Sequence, residues 1–341
     1  MPGKQALLKL LVVPPLTRIL SSLTKTHAAI LMLHRFSVPD LGVSGHNPSA
    51  LRRNLAYLRK SGYNLVSLEE LFRRLLERQH LKQTVAFSID DGYFDHAEIA
   101  APIFAEFDCP VTFFVSTGFL DRKIWFWWDR LMFIFETTQR RELIAHIGGR
   151  EVQYRWDDAE SRRKVWWDLN VRCQNASHDD RLRCIDELSR EAEIELPSSA
   201  PARFAPMTWD TVRRLERRGV DFGPHTVTHP VLATTSTAQA NWEIAESWKR
   251  LNAEVSRPLP IFCYPNGRTQ DVGEREISAV QRLGLWGGLM AHAGRLDPTE
   301  FHRSEAARYR IPRFAYADDR IQILQCLSGL ETLKGRLRRS A

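Results

Sequence analysis

Between residues 28 and 115 short apolar runs alternate with amphipathic helical patterns, and few folds accommodate that rhythm. Ala28-Ala29-Ile30-Leu31-Met32-Leu33 has the composition of a first strand and delivers His34 at its C-terminal end. Asn47-Pro48 supplies an N-cap and a first-turn proline for a helix running to about Lys60, which Ser61-Gly62 stops. Tyr63 to Val66 is a second strand, and Ser67-x-x-Glu70 is a capping box that opens the next helix. Val85 to Ile89 is a third strand, a helix follows over about Ala97 to Glu106, and Pro110 to Val115 is a fourth strand. Strands separated by helices pair in parallel, so this part of the chain predicts an α/β sheet or barrel. Functional residues in such folds gather where the strands end.

Two strand ends carry chemistry. The third runs into Asp90-Asp91-Gly92, where adjacent carboxylates repel unless a proton, a cation or solvent separates their roles. Gly92 lets the backbone turn sharply straight after them. By itself the stretch is equally well a solvated turn. Further on, Val220 to Gly223 is a strand leading to Pro224-His225-Thr226-Val227-Thr228-His229-Pro230. Two histidines four apart can face one ion if the turn between them is helical. With Asp91 they form a His-His-Asp set with room for water, and three protein ligands with an open position describe a catalytic zinc site. The strand Pro260 to Tyr264 is followed by Pro265-Asn266-Gly267, a turn able to aim backbone N–H groups at a developing oxyanion. The extended stretch Arg310 to Phe314 is expected to place Arg313 beneath the site.

The α/β rhythm breaks between residues 121 and 204, which hold six of the ten tryptophans and are dense in Arg and Glu. The expectation is a mainly helical insertion, with Glu160 to Glu193 helical and Pro197 to Pro201 a linker. Its tryptophans serve either to pack the insertion on the core or to stack on sugars. Trp125 to Trp128 is expected as an exposed cluster and the natural place for a substrate lid.

Composition removes other classes. A hydrophobic fraction of 43% and a charged fraction of 26% are those of a soluble globular chain. The net charge of +7 is diffuse, without a nucleic-acid motif, so no nucleic-acid partner is expected. Five scattered cysteines form no Cys-x-x-Cys pair, which argues for reduced thiols and against a structural zinc finger. Residues 1–27 hold an apolar run too short to span a bilayer. They form an amphipathic segment that rests on the domain or peripherally on a membrane surface, so the location is cytoplasmic or membrane-associated. A basic tail over residues 321–341 ends the chain; its oligomeric state is not encoded in any pattern.

Together these segments resemble the polysaccharide deacetylases of the NodB-homology type, carbohydrate esterase family four. Ser88-Ile89-Asp90-Asp91-Gly92 is similar to the family's Thr-Phe-Asp-Asp-Gly, and His225 to Pro230 to its His-Ser/Thr-x-x-His-Pro. Cys263-Tyr264-Pro265-Asn266-Gly267 stands where many members have Arg-x-Pro-Tyr-Gly. The resemblance implies an irregular (β/α) barrel, typically of seven strands, over residues 28–120 and 205–320. It implies a divalent metal, usually Zn2+, on Asp91, His225 and His229, with Asp90 as general base and the Asn266 N–H at the oxyanion. Tyr264, Pro265 and Arg313 would then face the substrate, an N-acetylated glycan of cell-surface or exopolysaccharide biosynthesis. Cys263 replaces the family's arginine, for which Arg313 is the substitute. The general acid is His34 or His292, with His34 preferred because related poly-N-acetylglucosamine deacetylases carry such a histidine on the first strand. O-deacetylation, amide hydrolysis on another substrate and silent carbohydrate binding are the alternatives on the same scaffold.

Overall fold

The computed structural model describes residues 27–328. The expected N-terminal segment therefore lies, His27 apart, outside the described residues, as does the tail from residue 329 onward. Ten strands are described: β1 (Ala28–Leu33), β2 (Asn64–Leu65), β3 (Thr84–Asp91), β4 (Thr112–Val115), β5 (Glu142–Ile147), β6 (Arg150–Arg155), β7 (Asp221–Pro224), β8 (Ile261–Cys263), β9 (Gly287–Leu289) and β10 (Phe314–Ala315). The main sheet runs β10-β1-β3-β4-β7, with β2 also paired to β3, and every pairing in it is parallel. β8 and β9 form a separate parallel pair. A bridge from Leu289 to Ile311 leads from β9 towards β10, and the Leu259 N–H donates to the Phe222 carbonyl between β8 and β7 (2.8 Å). The strands thus curve towards a barrel without a closed ladder, an α/β fold with a mostly parallel sheet.

Strand β3 shows why the sheet forms here. All eight of its residues are buried, and their period of two divides them between two cores. Val85, Phe87 and Ile89 join Leu51, Leu55 and Leu58 of the helix Pro48–Lys60. Ala86 turns to the opposite core, with Ile30, Phe114, Ile261 and Leu289. Ser88 and Asp90 share that second side, so one strand carries its polar groups inward as it ends. Helix caps are as expected at Asn47, which accepts from the Ala50 N–H (3.0 Å). At Ser67 only half a capping box forms. Its hydroxyl accepts from the Glu70 N–H, but the Glu70 carboxylate is drawn off by Arg73 and Arg74.

The segment 121–204 needs a larger correction. It contains the helices Trp127–Thr137, Ala159–Asn175 and His178–Glu191, but also the antiparallel hairpin β5–β6. Gly148 and Gly149, both with positive φ, make its two-residue turn. Alternating burial along β5 was legible as Leu143, Ala145 and Ile147 around a Gly-Gly pair. Trp127, Leu131, Leu143, Leu169, Cys173, Ile185 and Leu188 gather in a cluster of their own. The start of the expected basic tail is also corrected: Arg320–Ser328 is a helix that buries Ile323, Leu324 and Leu327.

Candidate active site

Asp91 ends β3, and the residue pair after β7 returns to meet it. The Nε2 atoms of His225 and His229 lie 3.7 and 3.4 Å from the same Asp91 oxygen, Oδ1. All three residues are buried. The His225 Nδ1–H donates to the Cys263 carbonyl (2.7 Å), which leaves the Nε2 lone pair facing Asp91. The turn between the histidines is not helical, yet both imidazoles face Asp91. Thr226 and His229 take φ values of +65° and +56°, and Asp91 itself takes +90°. A threonine in this region is costly, and such strain persists only where surrounding contacts over-determine it.

Those contacts come from a residue that no sequence pattern singled out. Glu243, fully buried in the helix Thr237–Glu254, accepts from the Val227 and Thr228 N–H groups (2.8 and 2.9 Å). It also accepts from the Thr228 hydroxyl, and the Thr226 hydroxyl accepts from the His229 N–H (3.0 Å). A glutamate on a long amphipathic helix carries no local signal of this role. Only its burial does.

Asp90 is held separately. Two nitrogens of Arg313 donate to its two oxygens at 2.8 Å each, while Arg313 also donates to the Ser88 hydroxyl and the Met290 carbonyl. The Cys263 thiol lies 3.4 Å from Asp90 Oδ2. Burial pushes the Asp90 carboxyl up, but the Arg313 guanidinium, with His225, outweighs it and holds the group down at about 2. Asp91 is likewise lowered, burial being outweighed by the histidines. Burial, reinforced by His229, lowers His225 to about 4.

A cation would fit the first group. Asp91, His225 and His229 offer donor atoms within 4.8 Å of one another, and the buried His229 Nδ1 has no partner among the described residues. A second set, Asp90, His225 and Cys263, also converges. It is the poorer site, because Arg313 already neutralises Asp90 and a metal there would face its charge.

Both groups open into a cavity of about 480 Å3. His34 lines it, 46% exposed, with its Nε2 4.0 Å from Asp90 Oδ2. Tyr264, Asn266 and Arg313 line it as well; Pro265 and His292 do not. Pro265 is buried beneath the turn, and Arg313 is engaged with Asp90 rather than directed at a ligand. Asn266 takes a φ of +56°, and its N–H finds no acceptor among the described residues. Gly267 must follow it, since a Cβ there would lie 2.7 Å from the Ala291 backbone nitrogen.

The facing wall comes from the segment 121–204 through Trp127, Trp128, Asp129, Met132, Trp166, Asn170 and Gln174. This overturns the exposed lid expected at Trp125 to Trp128. Trp125, Phe126 and Trp127 are buried, and Trp128 stacks on Phe126 (4.4 Å) with its ring turned to His229 (4.9 Å). The Trp128 indole donates to the Tyr93 hydroxyl, which donates to Asp129 (2.6 Å). The tryptophans pack the wall onto the side of His229.

The family model for polysaccharide deacetylases matches residues 184–285, which span the histidine pair and the Cys263–Gly267 turn. Over that stretch the chain is similar to the polysaccharide deacetylases. No curated protein matches it in sequence. Among solved structures, it resembles the Streptococcus pyogenes deacetylase PplD in complex with acetate, at 17% identity and a TM-score of 0.57 over 89% of this chain and 99% of that one. IcaB from Ammonifex degensii aligns at 15% identity and a TM-score of 0.53, covering 89% of this chain and 97% of its own. The BpsB deacetylase domain from Bordetella bronchiseptica aligns at 14% identity and a TM-score of 0.52, over 85% and 97%. At these identities the structural likeness is one of fold, and no described helix is long and apolar enough to cross a membrane.

Proposed function

We propose that the chain hydrolyses N-acetyl groups on an amino-sugar glycan, using a divalent metal, Zn2+ by preference, held by Asp91, His225 and His229. The observation that supports this reading is the convergence of those three residues beside an arginine-clamped Asp90 in one cavity. Two imidazoles and a carboxylate suit zinc with an open position. When bound, such a cation polarises the acetamide carbonyl and brings the pKa of water from about 15.7 towards 7.

The chain's own residues would do the rest. Asp90, ionised at any working pH, takes the proton of the attacking water. Arg313 keeps both Asp90 oxygens oriented, and Oδ1, which meets only Arg313, retains a lone pair for the proton. The Asn266 N–H donates to the carbonyl oxygen as it gains charge. The amine must not depart as an anion, and protonated His34, at the cavity mouth beside Asp90, donates to it. The aromatic wall of Trp127 and the partly buried Trp128 limits water on the far side. A wider role in a cell-surface or extracellular polysaccharide rests on the family resemblance alone.

Acetate release from N-acetylglucosamine oligomers by zinc-loaded protein tests this. Wild type is expected to release acetate, a chelator to stop it, and Asp90→Asn to keep metal while losing most hydrolysis. Full activity in Asp90→Asn would overturn the assignment of the base.

A further inference from the structure

The helix Ala159–Asn175 brings a second chemistry to the cavity. Leu169 and Cys173 bury one face of it in the local apolar cluster. Trp166, Asn170 and Gln174, spaced by four and so stacked on one face, line the cavity instead. From Gln174 back to Trp166 is roughly 12 Å along the helix axis, longer than one sugar ring.

What distinguishes this face is that its polar groups are uncharged and unmet. The other charged groups around the cavity are already occupied: Arg35 by Asp95, Arg313 by Asp90, and Asp129 by the Tyr93 hydroxyl. On the helix, the Asn170 amide has no hydrogen-bond partner among the described residues. The Trp166 indole nitrogen is shielded from solvent and also lacks one. Gln174 donates one N–H to the Asn266 side chain at 3.4 Å, which leaves its carbonyl and second N–H for other partners. That contact also sets the near end of the face against the turn whose N–H serves the reacting carbonyl.

A phosphate or carboxylate lying along this face would meet no cation. A neutral ring with hydroxyls at its rim and an apolar face matches it, because amides can pair with hydroxyls and an indole ring can cover C–H groups. We infer that Trp166, Asn170 and Gln174 form a subsite, supplied by the segment 121–204, for a neutral sugar adjoining the one deacetylated. This rests on the deacetylase reading above.

The test compares acetate release from N-acetylglucosamine with release from its β-1,4- and β-1,6-linked tetramers, using the zinc-loaded full chain. Wild type is expected to favour at least one tetramer over the monomer at least tenfold in kcat/KM. Asn170→Ala/Gln174→Ala is expected to lose that preference, mainly through KM, while Trp286→Ala, at an exposed site outside the cavity, retains it. A disturbed Asn266 would lower monomer and tetramer rates alike, so the ratio isolates the subsite. No tetramer preference in wild type, or an undiminished one in the folded double variant, overturns the inference. No acetate from any of the three probes overturns the deacetylase reading itself.

Discussion

Both oxygens of Asp90 are clasped by Arg313, a residue 223 positions later in the chain, in a pair that solvent does not reach. The two travel together only because β10, which Arg313 precedes, pairs with β1, and β1 pairs with β3. Cys263, in the position where the family motif carries arginine, contributes a thiol to the same carboxylate. The cation and the thiol beside Asp90 thus come from two different strand ends.

Arg313→Ala leaves a buried carboxylate without its cation. Removing one partner of a buried pair costs about 3–5 kcal/mol, so urea denaturation is expected to show a loss of that size. Arg313→Lys keeps the charge but not the two-pronged geometry. It is expected to fold with a smaller loss and to lower kcat at least tenfold. A variant with wild-type kcat would show that orientation of Asp90 is immaterial.

Glu243 predicts a loss that runs through the metal. Its carboxylate fixes the strained turn between His225 and His229 without touching either imidazole. Partners one step removed from a ligand are typically worth 10–100-fold in metal affinity. Glu243→Gln is expected to weaken zinc binding by about that factor while the fold survives, as read by competition with a chromogenic chelator. Unchanged affinity would mean that the turn holds itself.

How much of this was legible beforehand follows the range of the interactions. Strand β3, the caps at Asn47 and Ser67 and the histidine pair are local patterns, and they stood out in the sequence. His34 follows the first strand, and a strand end could be read locally; His292, the other candidate acid, lies outside the cavity lining, and no local pattern separated the two. Glu243 and the cavity wall of Trp166, Asn170 and Gln174 did not stand out. Each belongs to a helix whose local pattern is ordinary, and each acquires its role only when an element distant in sequence packs against it. The exposed lid was misjudged for the same reason: Trp128 stacks on Phe126 and turns its ring to His229, which lies 101 positions beyond it.

Acid should release the metal within a definable window. Burial holds His225 at about 4 in the folded chain, below its ordinary value of about 6.5. The unfolded chain therefore binds more protons between those limits, and the stability of the metal-free protein falls as pH drops through them. The same depression keeps the imidazole free for a cation down to nearly pH 4. Zinc is expected to stay bound at pH 6 and to be lost between about 5 and 4, measured by metal analysis after dialysis. Release already at pH 6.5 would contradict the buried neutral imidazole.

Asp129 has the opposite sign. Burial raises its carboxyl to about 7, against the opposing Tyr93 hydrogen bond and Arg35. A raised pKa means that the folded chain binds the extra proton. Its contribution to stability is complete below about 4 and is lost as pH rises through 7. Asp129→Asn keeps an acceptor for the Tyr93 hydroxyl and removes the titration. It is therefore expected to match wild type at pH 4 and to exceed it by roughly 1–3 kcal/mol at pH 8, the cost of an ionised group in that setting. Thermal denaturation across this range decides it. A variant less stable than wild type at pH 8 would place an ionised Asp129 among the interactions that hold the wall to Tyr93, with its charge satisfied by Arg35.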